Sequence, residues 1–233
     1  MLHHVPIHKY GVLYTHMPTI LLIRHGENEY VAKGRLAGRL PGVHLNEKGV
    51  TQAQELGKAL VNAPVKAVYA SPLDRTIETA QPIAEALGQE VIKEPGLLEV
   101  DFGTWQDKTL KQLRRRKLWR TVQNSPSLTR FPEGETFADA QQRIVGAIEK
   151  LSKKHKAQDL IVCVSHSDII KLAIAYYLGV HIDLFQRLMI APASISTLHM
   201  GEGWARVINY NHGINFGFPE HDSKPKPKRK SNK

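Results

Sequence analysis

The sequence predicts an α/β fold, a three-layer sandwich in which a mostly parallel central sheet is flanked by helices. Three observations carry that expectation. Short, continuous apolar runs read as strands buried on both faces, and they alternate with segments of helical spacing. The chain has 233 residues with 42% hydrophobic content, a size at which one α/β domain buries its own core.

Residues 1–18 mix His3, His4, His8 and His16 with Pro6 and Pro18 and show no sustained periodicity. They read as an irregular extension, with Met17 as an alternative start. The His3-His4 pair has no neighbours that would complete a metal site. Regular structure begins at Thr19 with the run TILLI, halted by Arg24, His25 and Gly26. Residues 47–62 have helical spacing, with Leu56, Leu60 and Val61 on one side, and VKAVYAS follows as a second strand. Pro72 opens a helix over LDRTIETAQPIAEAL that Pro82 is expected to interrupt. Further helical patterns cover 108–122 and 136–155. LIVCVSH is the third buried strand, 167–178 a helix, and 194–200 with 204–209 a terminal hairpin around Gly201 and Gly203. The domain thus spans 19–218, and 219–233 is a basic tail.

The net charge of +10 is unevenly spread. Lys224, Lys226, Lys228, Arg229, Lys230 and Lys233 supply six positive charges, leaving 10 − 6 = +4 for the rest. Interleaved proline and lysine do not pack, so the tail is expected to be disordered. It carries no interleaved aromatic residues to stack on bases, and no specific nucleic-acid partner is expected. No stretch approaches the roughly 20 apolar residues of a membrane span, which makes a cytoplasmic protein the expectation. The single cysteine, Cys163, lies in an apolar run and reads as a small buried hydrophobe.

Ligands of parallel sheets bind beyond the carboxyl ends of the strands. Three predicted strands end there in groups suited to phosphate: Arg24 and His25, Ser71 leading to Arg75, and Ser165 with His166. Arg24 and Arg75 offer guanidinium forks for nonbridging oxygens, and His25 and His166 can serve as nucleophile and oxyanion donor. Gly26 lets backbone approach a ligand closely. No Cys/His cluster or carboxylate cage accompanies them, so no metal or cofactor is expected and the arginines must stabilise charge.

The string LLIRHGENEY resembles the signature of the histidine phosphatase superfamily, the phosphoglycerate mutase-like proteins, and SPLDRTIETA, LLEVDFGTW and VSHSDIIK resemble its next three blocks in order. The resemblance covers nearly all of residues 19–209. It implies the family's helix-covered α/β sheet and a metal-independent phosphomonoester hydrolase acting on a small phosphorylated metabolite. By resemblance, His25 is the phosphorylated nucleophile, Glu99 the proton donor, His166 the second pocket histidine, and Arg24 and Arg75 the phosphate clamps. Chemistry alone does not select Glu99 from its neighbours Glu94 and Asp101.

The chain also departs from the family pattern. Val31 stands where an asparagine commonly touches phosphate, so either Asn28 takes over phosphate binding or a donor is missing. Ser167 replaces a common glycine, and a helix cap is its favoured role. Arg35, Arg39 and His44 in GRLAGRLPGVHLN either meet an anionic substrate or are solvated, and Arg114 to Lys117 are equally ambiguous. The Arg-His-Tyr-Gly block typical of glycolytic mutases is absent and FPEGET resembles a phosphatase-branch block, which ranks phosphatase above phosphomutase. A non-catalytic phospholigand module and a nucleic-acid binder are the remaining alternatives. Oligomeric state stays open between monomer and homodimer.

Overall fold

The computed structural model describes residues 18–213; the extension up to residue 17 and the basic tail lie outside them. The strands are β1 (Thr19–Arg24), β2 (Val65–Ala70), β3 (Val91–Lys93), β4 (Leu160–Ser165), β5 (Ile195–Gly201) and β6 (Trp204–His212). They form one sheet in the order β3-β2-β4-β1-β5-β6. The first four strands of that order run parallel, while β5 is antiparallel to β1 and to β6. The terminal hairpin therefore extends the same sheet.

Around it lie α1 (Glu29–Ala32), α2 (Glu47–Leu60), α3 (Asp74–Ala86), α4 (Leu110–Leu113), α5 (Leu118–Asn124), α6 (Phe137–Lys154) and α7 (Ser167–Tyr177). The continuous apolar runs are explained by burial on both faces. Ile20 and Leu22 of β1 join the core beneath α6 and α7, while Leu21 and Ile23 join the core beneath α2 and α3. Cys163 lies in the first of these cores, fully buried, with its thiol pKa pushed up by burial. No helix of the described residues is long and apolar enough to cross a membrane.

Three expectations need correction. Helix α3 starts two residues after Pro72 and runs through Pro82 instead of breaking there. Pro82 is held by α2, where a Cβ on Gly57 would lie 2.6 Å from the Pro82 carbonyl oxygen. The pattern at 108–122 is two short helices parted at Arg114 to Lys117. Those four adjacent cations are all exposed, and they offer neither a buried face nor an acidic partner within the run. The short elements β3 and α1 were not legible in the pattern, being too brief for a period to show.

Candidate active site

The carboxyl ends of β1 and β4 are neighbours in the sheet, and that adjacency builds the site. The His25 N–H donates to the Ser165 carbonyl at 3.0 Å, locking the residue after β1 to the end of β4. The imidazoles of His25 and His166 consequently meet edge to face, with centroids 5.3 Å apart. Arg75 arrives from the first turn of α3, and its Nη2 donates to the Gly38 carbonyl at 2.7 Å and to His166 Nδ1 at 3.2 Å. His166 Nε2 in turn donates to Ser71 Oγ at 2.9 Å. Arg24 Nη1 donates to the Ile190 carbonyl at 2.6 Å.

Both histidines are held neutral. Burial pushes the pKa of each well below its ordinary value, and Arg75 and Arg24 push further in the same direction. His25 Nδ1 donates to the Gly26 carbonyl at 2.7 Å, which fixes the tautomer and leaves Nε2 as the lone-pair nitrogen. That is the protonation state a nucleophilic imidazole requires.

The donors around His25 are unusually unsatisfied. Arg24 Nε, Asn28 Nδ2, and Arg75 Nε and Nη1 are buried without a protein acceptor. Arg24, Asn28 and Arg75 line one cleft of about 270 Å3 together with His25, Glu99, Ser167 and Asp168. Buried orphan donors are costly, and an anion with several acceptor oxygens would satisfy all of them at once. Asn28 divides its amide: Oδ1 accepts from the Val31 N–H at 2.9 Å as the cap of α1, leaving Nδ2 as the donor.

Glu99 enters the cleft from the loop after β3. Its pKa is raised to about 7, first by burial and then by the nearby Asp168 carboxylate, against the pull of the Val100 N–H, Arg75 and Arg24. The loop is clamped from behind. The Glu99 carbonyl accepts from Arg39 Nε at 2.8 Å, and the Leu98 carbonyl from Arg143 Nη1 at 2.7 Å. Both arginines converge on Glu135 Oε1, at 3.0 and 2.7 Å, and this oxygen also accepts the Asp101 N–H at 2.9 Å. Ser165 Oγ, donating to the Leu97 carbonyl at 2.8 Å, ties the same loop to β4.

Several sequence expectations are corrected here. Arg35 pairs with Asp107 at 2.6 Å, Arg39 with Glu135 and Asp101, and His44 with Glu78, so these side chains are already engaged with acids. Ser167 is not a cap: His166 occupies the cap position of α7 without a side-chain bond, and Ser167 is the first helical residue, lining the cleft. Gly26 serves protein packing, since a Cβ there would lie 2.6 Å from the Gly49 carbonyl oxygen of α2. Asp168 and the Arg39–Glu135–Arg143 clamp carried no expectation from sequence. An acid in the first helical turn reads as an ordinary dipole partner, and the clamp joins residues distant along the chain. Among the described residues no group of three or more His, Cys, Asp or Glu is placed to hold a metal ion.

The same ordered blocks are matched by the model of the histidine phosphatase superfamily, branch 1, over residues 20–213. The chain belongs to the histidine phosphatase superfamily. It is 32% identical over 203 residues to phosphoserine phosphatase 1 of Hydrogenobacter thermophilus, covering 86% of this chain and 95% of that protein. A probable phosphoglycerate mutase of Erwinia tasmaniensis is 31% identical over 81% of this chain and 88% of its own length. Among solved structures, a phosphoserine phosphatase from Entamoeba histolytica in complex with 3-phosphoglyceric acid superposes with a TM-score of 0.76 at 27% identity, covering 85% of this chain and 98% of that one. These matches span almost the full length of the relatives named.

Proposed function

We propose that this histidine phosphatase is a phosphomonoester hydrolase that works through a phosphohistidine on His25 and acts on a small phosphorylated metabolite. The observation that carries the reading is the set of buried, acceptor-free donors of Arg24, Arg75 and Asn28 around a neutral His25 whose Nε2 is free. The nonbridging oxygens are held by these donors, with Arg75 and Ser71 setting the His166 imidazole beside them. His25 Nε2 attacks phosphorus in line as the P–O ester bond breaks, and the protonated Glu99 delivers its proton to the departing alcohol oxygen. Water then attacks the phosphohistidine, Glu99 takes the water proton, and inorganic phosphate leaves with His25 neutral again.

A pKa near 7 suits Glu99 to both halves of this cycle, acid first and base second. Phosphate release from a panel of phosphomonoesters in EDTA, beside the His25→Ala variant, tests the reading. Release that vanishes in the variant is the expected result, and release equal to the unaltered chain's sinks it. A second reading, phosphomutase, is favoured by the relative named as a probable phosphoglycerate mutase. Interconversion of 3- and 2-phosphoglycerate that depends on a bisphosphate, with little release, would select it.

A further inference from the structure

We propose that the alcohol half of the substrate enters an aromatic chamber beside the phosphoryl cleft, so that the enzyme selects phosphomonoesters of flat, apolar alcohols the size of about two fused rings. This deepens the phosphatase reading above and rests on it. The chamber has a volume of about 300 Å3 and shares Leu36, Phe102, Leu110 and Asp168 with the phosphoryl cleft, so one continuous wall serves both. Beyond that wall it is bounded by Trp105 and Trp119, which stack at 6.3 Å between centroids and 16° between planes. Leu36, Leu110 and Trp119 are only partly buried, leaving apolar surface for a ligand to cover. An apolar cavity of about 150 Å3 takes one benzene ring, so this volume takes about two.

The one charged group on the shared wall is Asp168, already held by Lys171 at 3.1 Å, so the wall offers an incoming alcohol apolar surface and a compensated ion pair. Arg114, exposed on the outer rim with Gln123 and Gln186, makes the far end tolerant of a polar substituent.

The test compares kcat/KM of the full chain for 1-naphthylmethyl phosphate and phosphoserine, both alkyl esters, so that leaving-group basicity does not set the ranking. Calorimetric binding of 1-naphthylmethylphosphonate and methylphosphonate accompanies it. The naphthyl ester is expected to lead by about tenfold or more, and Trp119→Ala or Leu110→Ser to reduce that ratio by about tenfold. Phosphoserine turning over as well or better, or variants that slow both esters equally, overturns the chamber. Trp119→Phe, which keeps an aromatic wall, is expected to retain the preference and guards against misfolding. If no ester is hydrolysed, the phosphatase reading fails while calorimetry still decides: tighter naphthyl binding, lost in Trp119→Ala, upholds the chamber, and equal binding of the two phosphonates removes it.

Discussion

Arg24 and Arg75, beneath the phosphoryl cleft, make no ion pair among the described residues, whereas Arg35, Arg39 and Arg143 around it each hold a carboxylate. Single nitrogens of Arg35 and Arg143 also lack acceptors, but those guanidinium charges are already compensated. The same residue type therefore does two jobs. Inner arginines leave their charge and several donors without a protein partner, whereas of the outer ones Arg39 and Arg143 fix the loop that carries Glu99 and Arg35 holds Asp107. What separates them is the partner each lacks or has, which neither burial nor spacing alone reveals.

If the inner set binds the phosphoryl group, Arg75→Lys should lower kcat/KM by about 10²- to 10³-fold, because an ammonium cannot reproduce a planar fork. Glu99→Gln should cost about 10²-fold or more on alkyl phosphates and much less on 4-nitrophenyl phosphate, whose leaving oxygen needs no proton. The sign of its pH dependence follows from the raised pKa: the acid form is lost as pH rises through about 7, so alkyl-ester turnover falls there, and the glutamine variant should lack that limb.

The outer set should matter less and through geometry. Glu135→Gln is expected to lower alkyl-ester kcat about tenfold with little change in KM, since a loosened clamp misplaces Glu99 without touching phosphate. A larger loss on 4-nitrophenyl phosphate than on alkyl esters would remove the clamp from that role. Arg35→Ala, which breaks a pair with more than a third of each side chain exposed, should change stability by less than about 1 kcal/mol and turnover by under about threefold.

Stability offers an independent check on the protonation states. The folded chain keeps His25 and His166 neutral, while the unfolded chain takes up protons at both near the ordinary value of 6.5. Unfolding is therefore favoured as pH falls below about 6.5. Glu99 has the opposite sign, its raised pKa withdrawing stability as pH rises from about 4.5 to about 7, but one carboxyl opposes two imidazoles. Melting temperature should fall from pH 7 to pH 5, and His166→Gln should flatten the slope.

Most of the fold was legible because its signals are local. Unbroken apolar runs such as TILLI and LIVCVSH are strands with helices on both faces, and the polar groups that end them share one sheet edge. His25, His166, Arg24 and Arg75 were legible for the same reason, and Glu99 only through resemblance to a family block. What escaped depends on contacts between distant segments. The Arg39–Glu135–Arg143 clamp, the engagement of Arg35 and His44 with acids, and the packing of Gly26 on Gly49 all join residues far apart in the chain. Pro82 misled because its local cost is real, yet tertiary packing carries α3 through it.

The central claim is that His25 Nε2 becomes the phosphoryl carrier, and the most direct test is to trap it. Quenching the enzyme during turnover of a phosphomonoester in EDTA, under alkaline conditions that preserve phosphohistidine, and mapping the modified peptide should find the phosphoryl group on His25. His25→Ala should show no label and at least about 10⁴-fold slower phosphate release. Label on another residue, or unimpaired release from the alanine variant, would contradict the account.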